Sequence, residues 1–307
     1  MSEKHPAILP PPFRTCCAMS AQARGASKRR EFAMPYARSL TWSLSIGCWI
    51  WVIGPLAANG ASPAEGLAPF LSVHRQAIAQ AEKGQWAEAS KLYGQYAGQR
   101  PADLGVPLAL VFQGVILRRE LKQAEPARAA FARVAALTDD RFGGAIKEVA
   151  RRWLAWLQMP DIEVALRKYY VDRVEYPATL DGLVQRKLLT AEQIIDPWGK
   201  PFVYREVPSS IAPKMPRQNY RLRPSGFEAD SRQFKGVLEE SAKFPRKFDL
   251  KGIGGVQQQA ALIAPTEKGK SPANVVEGEA IEGAKLVKLT REAAVLVDAE
   301  HVAVLSK

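Results

Sequence analysis

The side chains most often used in catalysis and metal binding are few and scattered in this 307-residue chain. The histidines are His5, His74 and His301, and the cysteines are Cys16, Cys17 and Cys48. The sequence contains no Gly-x-Ser-x-Gly, His-Glu-x-x-His or phosphate-loop motif. We therefore expect no enzymatic activity, no cysteine metal site after residue 48 and no disulfide framework. A hydrolase with an unrecognised pair of carboxylates is the remaining catalytic hypothesis.

The chain is basic, with a formal net charge of +12. A basic excess favours anionic surfaces, but it also serves simply to keep a protein soluble, and we favour that simpler interpretation. No basic block is interleaved with aromatic residues, as nucleic-acid binding would lead us to expect. The sequence therefore predicts no nucleic-acid partner.

The N-terminal part of the chain carries an export signal. Residues 39–64 contain no charge, and residues 40–58 read LTWSLSIGCWIWVIGPLAA after basic residues at 28–30 and 38. This is the pattern of a cleaved signal peptide or of an inner-membrane anchor. The true start is either Met1 or Met34, and lipidation at Cys48 is disfavoured because the apolar stretch continues beyond it. The remainder is expected in the periplasm or elsewhere in the cell envelope.

A helical pattern with a repeat follows over residues 65–158. Its first copy contains Gly84, Trp86, Ala89, Tyr93, Tyr96 and Pro101. Its second copy places Ala127, Phe131 and Val134 at a constant offset of 38 residues from Ala89, Tyr93 and Tyr96. The pattern resembles tetratricopeptide repeats, which pair antiparallel helices and hold partner proteins. A plain α-hairpin bundle that acts as a spacer is the alternative.

Pro160 predicts a break between two further helices. The first is expected over residues 144–157, with Arg151 and Arg152 facing solvent, and the second over residues 161–170. Such arrays usually need about three units for stability, and two repeats with one closing helix would just suffice.

The most specific strings in the chain are YPATLDGL at residues 176–183 and DPWGKPFVY at residues 196–204. Asp196 and Pro197 are typical of a turn, because aspartate bonds the local backbone and proline fixes φ. Gly199 permits a positive φ, and Trp198 can bury a large apolar area. The residues that follow favour a strand, and a second strand is expected over residues 219–223. The motif therefore predicts a structural role.

These strings closely resemble the C-terminal domain of the major pseudopilin of type II secretion systems, over residues 161–234. The resemblance implies an α+β domain with a small antiparallel sheet. It assigns structural roles to Tyr176, Pro177, Asp196, Pro197, Trp198, Gly199 and Tyr204. A pseudopilin begins with a leader and a long apolar helix, whereas here other material precedes the domain. The chain is therefore not expected to join a pseudopilus in the usual way.

The resemblance also implies a calcium loop after Gly226. The only nearby carboxylates are Glu228 and Asp230, whereas calcium takes about six to eight oxygen ligands. Solvated loop carboxylates are the favoured interpretation, and calcium remains an alternative; no other cofactor is predicted.

Residues 235–247 are polar and predict a linker, and residues 248–307 predict a small all-β domain. Strands are expected over residues 248–253, 259–263, 285–289, 294–297 and 302–305, with a loop over residues 268–274. The order of these segments resembles the periplasmic region of the type II secretion coupling protein and of the related pilus lipoprotein.

Together these patterns predict a multidomain α+β protein: residues 1–64 for export or anchoring, 65–158 helical, 161–234 pseudopilin-like and 248–307 all-β. The expected function is a scaffold in a type II secretion or type IV pilus-like system, with protein partners from that apparatus. It would also contact the inner membrane if the N-terminal segment is retained. The alternative is a calcium- or glycan-binding envelope module that reuses the pseudopilin-like fold.

Overall fold

The computed structural model describes residues 66–138, 141–207, 217–227, 248–255, 259–299 and 301–306. All of them belong to one compact unit of the chain, residues 58–307. The predicted export segment, Glu228, Asp230 and the predicted linker at 235–247 lie outside the described residues.

Four helices of similar length follow one another in the first part of this unit. They are α1 (Ala68–Glu82), α2 (Trp86–Gln99), α3 (Val106–Arg119) and α4 (Ala124–Ala136). Each helix packs on the next one in the chain. Pro69 and Pro107 lie in the first turns of α1 and α3, where proline is tolerated. Gly84 adopts a φ of +74° in the tight connection between α1 and α2.

We call helices α1 to α4 the helical layer. Its interior is filled by aromatic and small residues. Phe70 and Phe131 are fully buried, and Tyr93 is 3% exposed. A β-carbon on Gly114 would come within 2.7 Å of the Phe131 ring, so α3 and α4 approach closely because Gly114 has no side chain. The predicted repeat positions Ala89 and Ala127 are likewise buried.

The fifth helix corrects the sequence prediction. Helix α5 runs without a break over Ala145–Arg173, so the interpretation that Pro160 ends a helix is wrong. Proline has no N–H to donate to the carbonyl four residues earlier, which disfavours a helix interior. The buried stripe nevertheless continues through the proline, because Met159 and Ile162 are both buried on either side of it. Burial of that stripe outweighs the local penalty.

A short helical and strand region follows α5. It contains α6 (Asp181–Gln185), a 3₁₀ turn (Glu192–Ile194), β1 (Val203–Val207) and β2 (Asn219–Arg223). Strands β1 and β2 form a two-stranded antiparallel sheet, with Arg205 opposite Arg221 and Tyr204 opposite Leu222. The prediction of a strand over residues 219–223 is confirmed.

The C-terminal part forms two small antiparallel sheets. The first has the order β3 (Phe248–Gly254), β4 (Ala260–Pro265) and β5 (Ala273–Val276). The second has the order β6 (Ala280–Ile281), β7 (Ala284–Leu289), β8 (Ala293–Val297) and β9 (Val302–Ser306). The five predicted strands are present. Strands β5 and β6 were missed, and the predicted loop over 268–274 is wrong at its end because β5 begins at Ala273.

Strand β8 is buried on both faces and joins the β part to the helices. Ala293, Val295 and Val297 belong to the same buried cluster as the helical core. Ala294 and Leu296, which point the other way, pack with the other strands. The fold is therefore a mixed α and β structure with small antiparallel sheets. None of the helices described is both long and apolar enough to cross a bilayer.

Candidate functional site

The DPWG string forms a turn that is organised around one buried carboxylate. Asp196 is 4% exposed. Its Oδ1 accepts hydrogen bonds from the backbone N–H groups of Trp198 at 3.0 Å and Lys200 at 3.1 Å. Its Oδ2 accepts one from the N–H of Ser225 at 2.6 Å. Both carboxylate oxygens are thus engaged in holding backbone, and they join the turn to the loop that follows β2.

Trp198 attaches this turn to helix α5. Its indole Nε1 donates to the carboxylate of Glu148, 3.1 and 3.2 Å from the two oxygens. The indole ring packs edge-on against Phe227, with centroids 6.0 Å apart. A β-carbon on Gly226 would lie 2.6 Å from the indole, so only glycine allows this close approach. The turn is consequently fixed to α5 and to the loop after β2 at once.

Four tyrosines form a cluster beneath the two-stranded sheet. The rings of Tyr170 and Tyr220 each lie 4.7 Å from that of Tyr176. Tyr204 stacks on Tyr220 at 5.9 Å, and its hydroxyl donates to the carbonyl of Pro177 at 2.8 Å. Burial raises the pKa of Tyr204, with the nearby Tyr220 and Glu206 acting in the same direction. The Tyr204 phenol therefore stays protonated at neutral pH and can keep donating this bond.

An ion pair connects the segment after α5 to the segment before β2. The Arg217 guanidinium donates to Glu175 at 2.6 and 3.2 Å, a two-bond geometry that is the strong form of this pair. The backbone N–H of Tyr176 also donates to the carbonyl of Arg217 at 2.8 Å. The end of α5 and the start of β2 are therefore tied through both side chain and backbone.

The predicted structural residues thus lie in one connected region. We call the described residues 174–207 and 217–227 the motif region. Tyr176, Pro177 and Tyr204 meet in the tyrosine cluster, and residues 196–199 form the turn against α5. The predicted calcium ligands Glu228 and Asp230 lie outside the described residues.

Two residues of α5 that contact the motif region were not predicted correctly from the sequence. Glu148 lies fifty residues before Trp198 and carries no sequence signal that links the two. Arg152 was expected to face solvent, which is wrong, because its guanidinium lies 4.0 Å from the centre of the Phe227 ring and its side chain is 20% exposed. The reason is that the motif region packs over this face of α5.

A cavity of about 920 Å³ lies between the helical layer and the C-terminal strands. Its walls combine apolar side chains from α1 and α3 with residues of β3 and β9. His74 lies in its wall, is 7% exposed, and its Nδ1 is 2.8 Å from the Tyr93 hydroxyl. Burial lowers the pKa of His74 to about 4. His74 is therefore a neutral packing residue at pH 7, in line with its position among stacked rings.

His301 lies on the same cavity, although it is far from His74 in sequence. Its Nδ1 is 2.9 Å from the Asp298 carboxylate. Across the residues that the structure describes, no group of three or more His, Cys, Asp or Glu is arranged to hold a metal ion.

No family model, no curated protein and no solved structure matches this chain.

Proposed function

We propose that this chain is a non-enzymatic scaffold that holds protein partners within a type II secretion or type IV pilus-like system of the cell envelope. The observation that carries the proposal is the Asp196 turn. The residues that most closely resemble the major pseudopilin are also the residues that form one packed, hydrogen-bonded unit.

The arrangement of the motif region supports a structural use of these residues. The carboxylate of Asp196 accepts hydrogen bonds from three backbone N–H groups, and the Tyr204 phenol donates one to the Pro177 carbonyl. Side chains whose polar atoms are engaged in this way hold a surface in shape, as a protein-binding scaffold requires.

The helical layer supports a tetratricopeptide-like interpretation of residues 65–158. Consecutive antiparallel helices, with small residues at the close approaches, are what such repeats need to stack. The equivalent positions Tyr93 and Phe131 are both buried between helices. In the proposal this layer is one partner-binding part, and the strands after residue 248 correspond to the coupling-protein-like docking domain.

The location in the proposal follows from the apolar segment at 40–58, which would direct the chain into or across the inner membrane. Fractionation of the native host tests it directly. Accessibility of the C-terminal part to protease added to spheroplasts is expected, and protection from it would contradict the envelope location.

The partner test is crosslinking in the native host with an affinity tag after residue 307, followed by mass spectrometry of the purified complexes. We expect recovery of pseudopilins, the secretin or the inner-membrane platform. The control is the same tag on an unrelated exported protein. Recovery of none of these components at good yield of the bait would contradict the proposal.

A calcium titration of the exported part separates the alternative envelope module from the scaffold. The double variant Glu228→Gln/Asp230→Asn is compared with the unchanged chain by calorimetry. Calcium binding that is lost in the double variant would support the alternative, whereas heats that are absent from both chains would leave the scaffold proposal as the better explanation.

A further inference from the structure

The two-stranded sheet has one covered face and one open face. Alternation along the strands puts Tyr204 and Leu222 on the covered face, over the tyrosine cluster. The other face carries Val203, Arg205, Val207, Asn219, Arg221 and Arg223. We call this set the arginine face. Arg205 and Arg221 are both exposed, whereas Val207 and Arg223 are partly buried, so the face is open to a partner at its central pair.

The arginine face places two like charges directly opposite each other. Arg205 and Arg221 are register partners in the antiparallel pair. Opposite residues have β-carbons about 4.5–5.5 Å apart, and like charges in that position are destabilising. A sheet of only two strands is already marginal by itself. The pairing therefore costs stability in a sheet of only two strands, and an anion bound between the two guanidinium groups would remove that repulsion.

No side chain described in the structure neutralises this pair. Neither Arg205 nor Arg221 has an ion-pair partner within the described ranges. Glu206 follows Arg205 but points to the covered face, where its charge acts on Tyr204 and Arg217. Arg223 bonds the Phe227 carbonyl, a neutral acceptor, so it remains a cation at the end of the same face.

We propose that the arginine face binds an extended acidic segment of a partner protein that carries carboxylates on every second residue. Successive residues on one face of a strand are about 6.6–6.8 Å apart. Arg221 and Arg223 therefore have the spacing of carboxylates at i and i+2 in an extended peptide. Arginine binds carboxylates through two parallel hydrogen bonds, and Arg205 opposite Arg221 adds a second guanidinium to the same carboxylate position.

The composition of the face favours a peptide over a membrane surface. Recognition of anionic lipid relies on clusters of about four to eight basic residues, and interfacial segments present Trp, Phe or Leu to the bilayer. The arginine face offers three arginines in a fixed register, flanked by Val203 and Val207. Fixed spacing and small apolar flanks are suited to reading an extended chain.

The test uses the exported part, residues 65–307, and a fluorescent 12-residue peptide that alternates Glu and Ser. Anisotropy is measured at low ionic strength. The variant Arg205→Gln/Arg221→Gln is expected to weaken binding at least tenfold. The matched control Arg133→Gln/Arg291→Gln removes the same charge from two other exposed positions and is expected to change binding less than twofold. Thermal unfolding of both variants establishes that they are folded.

Two further probes are a peptide with the same six glutamates in one block and vesicles that contain phosphatidylglycerol. The proposal would be overturned by an equal loss of binding in the control variant or by equal binding of the block peptide. Binding to the vesicles but not to the alternating peptide would also overturn it. The inference rests on the proposed role as an interaction protein, but its failure is distinguishable. If crosslinking recovers the secretion apparatus but the peptide does not bind, the proposal for the arginine face is wrong and the scaffold proposal is unaffected.

Discussion

The helical layer and the motif region are held together in different ways. In the helical layer the rings of Phe70, His74 and Phe112 pack within about 6.3 Å of one another, and stability is spread over many apolar contacts. In the motif region a single carboxylate, that of Asp196, holds three backbone N–H groups. A distributed core tolerates the loss of one polar group, whereas a region organised by one carboxylate depends on it.

Helix α5 belongs to both regions. Near its start Trp153 stacks on Phe131 of the helical layer, with centroids 5.5 Å apart and planes at 5°. Near its end Tyr170 donates a hydrogen bond to Gln218 at the start of β2, at 2.7 Å. The contrast between the regions can therefore be tested by asking whether a change in one spreads along α5 to the other.

The largest effect is expected for Phe131→Ala. Phe131 is fully buried against Trp153 and Gly114, and truncation of a buried phenylalanine costs about 3–5 kcal/mol. We expect that loss in the free energy of unfolding, measured by urea denaturation. Arg133→Ala, at an exposed position of the same helix, should change it by less than about 0.5 kcal/mol. A loss below about 1 kcal/mol for Phe131→Ala would mean that the helices repack.

Asp196→Ala should have a smaller and more local effect. It removes the acceptor of three backbone N–H groups, and unmade bonds to a charged group cost about 3 kcal/mol in total at this burial. Hydrogen exchange should quicken in residues 196–204 and 217–227 and stay unchanged in α2 and α3. Asp172→Ala removes the same charge from an exposed site and should leave exchange unaltered. Faster exchange throughout the helical layer would contradict the separation of the two regions.

Acid should weaken the helical layer through His74. Its pKa is about 4 in the folded chain and about 6.5 in the unfolded chain. Below pH 6.5 the unfolded chain therefore takes up a proton that the folded chain refuses, and stability falls as the pH drops. The loss between pH 6.5 and pH 4 should be about 2–3 kcal/mol.

The comparison for this prediction is His74→Gln, which keeps a partner for Tyr93 but does not titrate. Because carboxylates titrate near pH 4 in both chains, the measured quantity is the difference between their denaturation curves over this range. Parallel curves would show that His74 does not control the response to acid.

The smallest effect is expected for Gly226→Ala. The added β-carbon would lie 2.6 Å from the Trp198 indole, and overpacking of this kind costs about 1–3 kcal/mol. Gly98→Ala on α2 meets nothing within 4 Å and should stabilise by about 0.5–1 kcal/mol, because alanine is the better helix residue. The indole N–H resonance of Trp198 in an NMR spectrum, assigned by its absence in Trp198→Phe, would report displacement of the indole, and an unshifted resonance would place the strain elsewhere.

Patterns in the sequence predicted the helical character of residues 65–158, without bounds for the first four helices, and seven of the nine described strands. They failed at Pro160, because local propensity disfavours proline in a helix while burial of Met159 and Ile162 depends on distant partners. They also missed β5 and β6, which are only four and two residues long. Segments that short contain too few residues for alternation to be read.

The chain's sequence by itself determined the turn at Asp196 and the left-handed glycine at position 199, because both arise from the local chemistry of a few neighbouring residues. Only the tertiary structure decided that Glu148 would receive the Trp198 indole, that His74 would be neutral, and that Arg205 would face Arg221. The physical reason is that these properties depend on residues distant in sequence, and their positions are set by packing of the whole unit rather than by any local pattern.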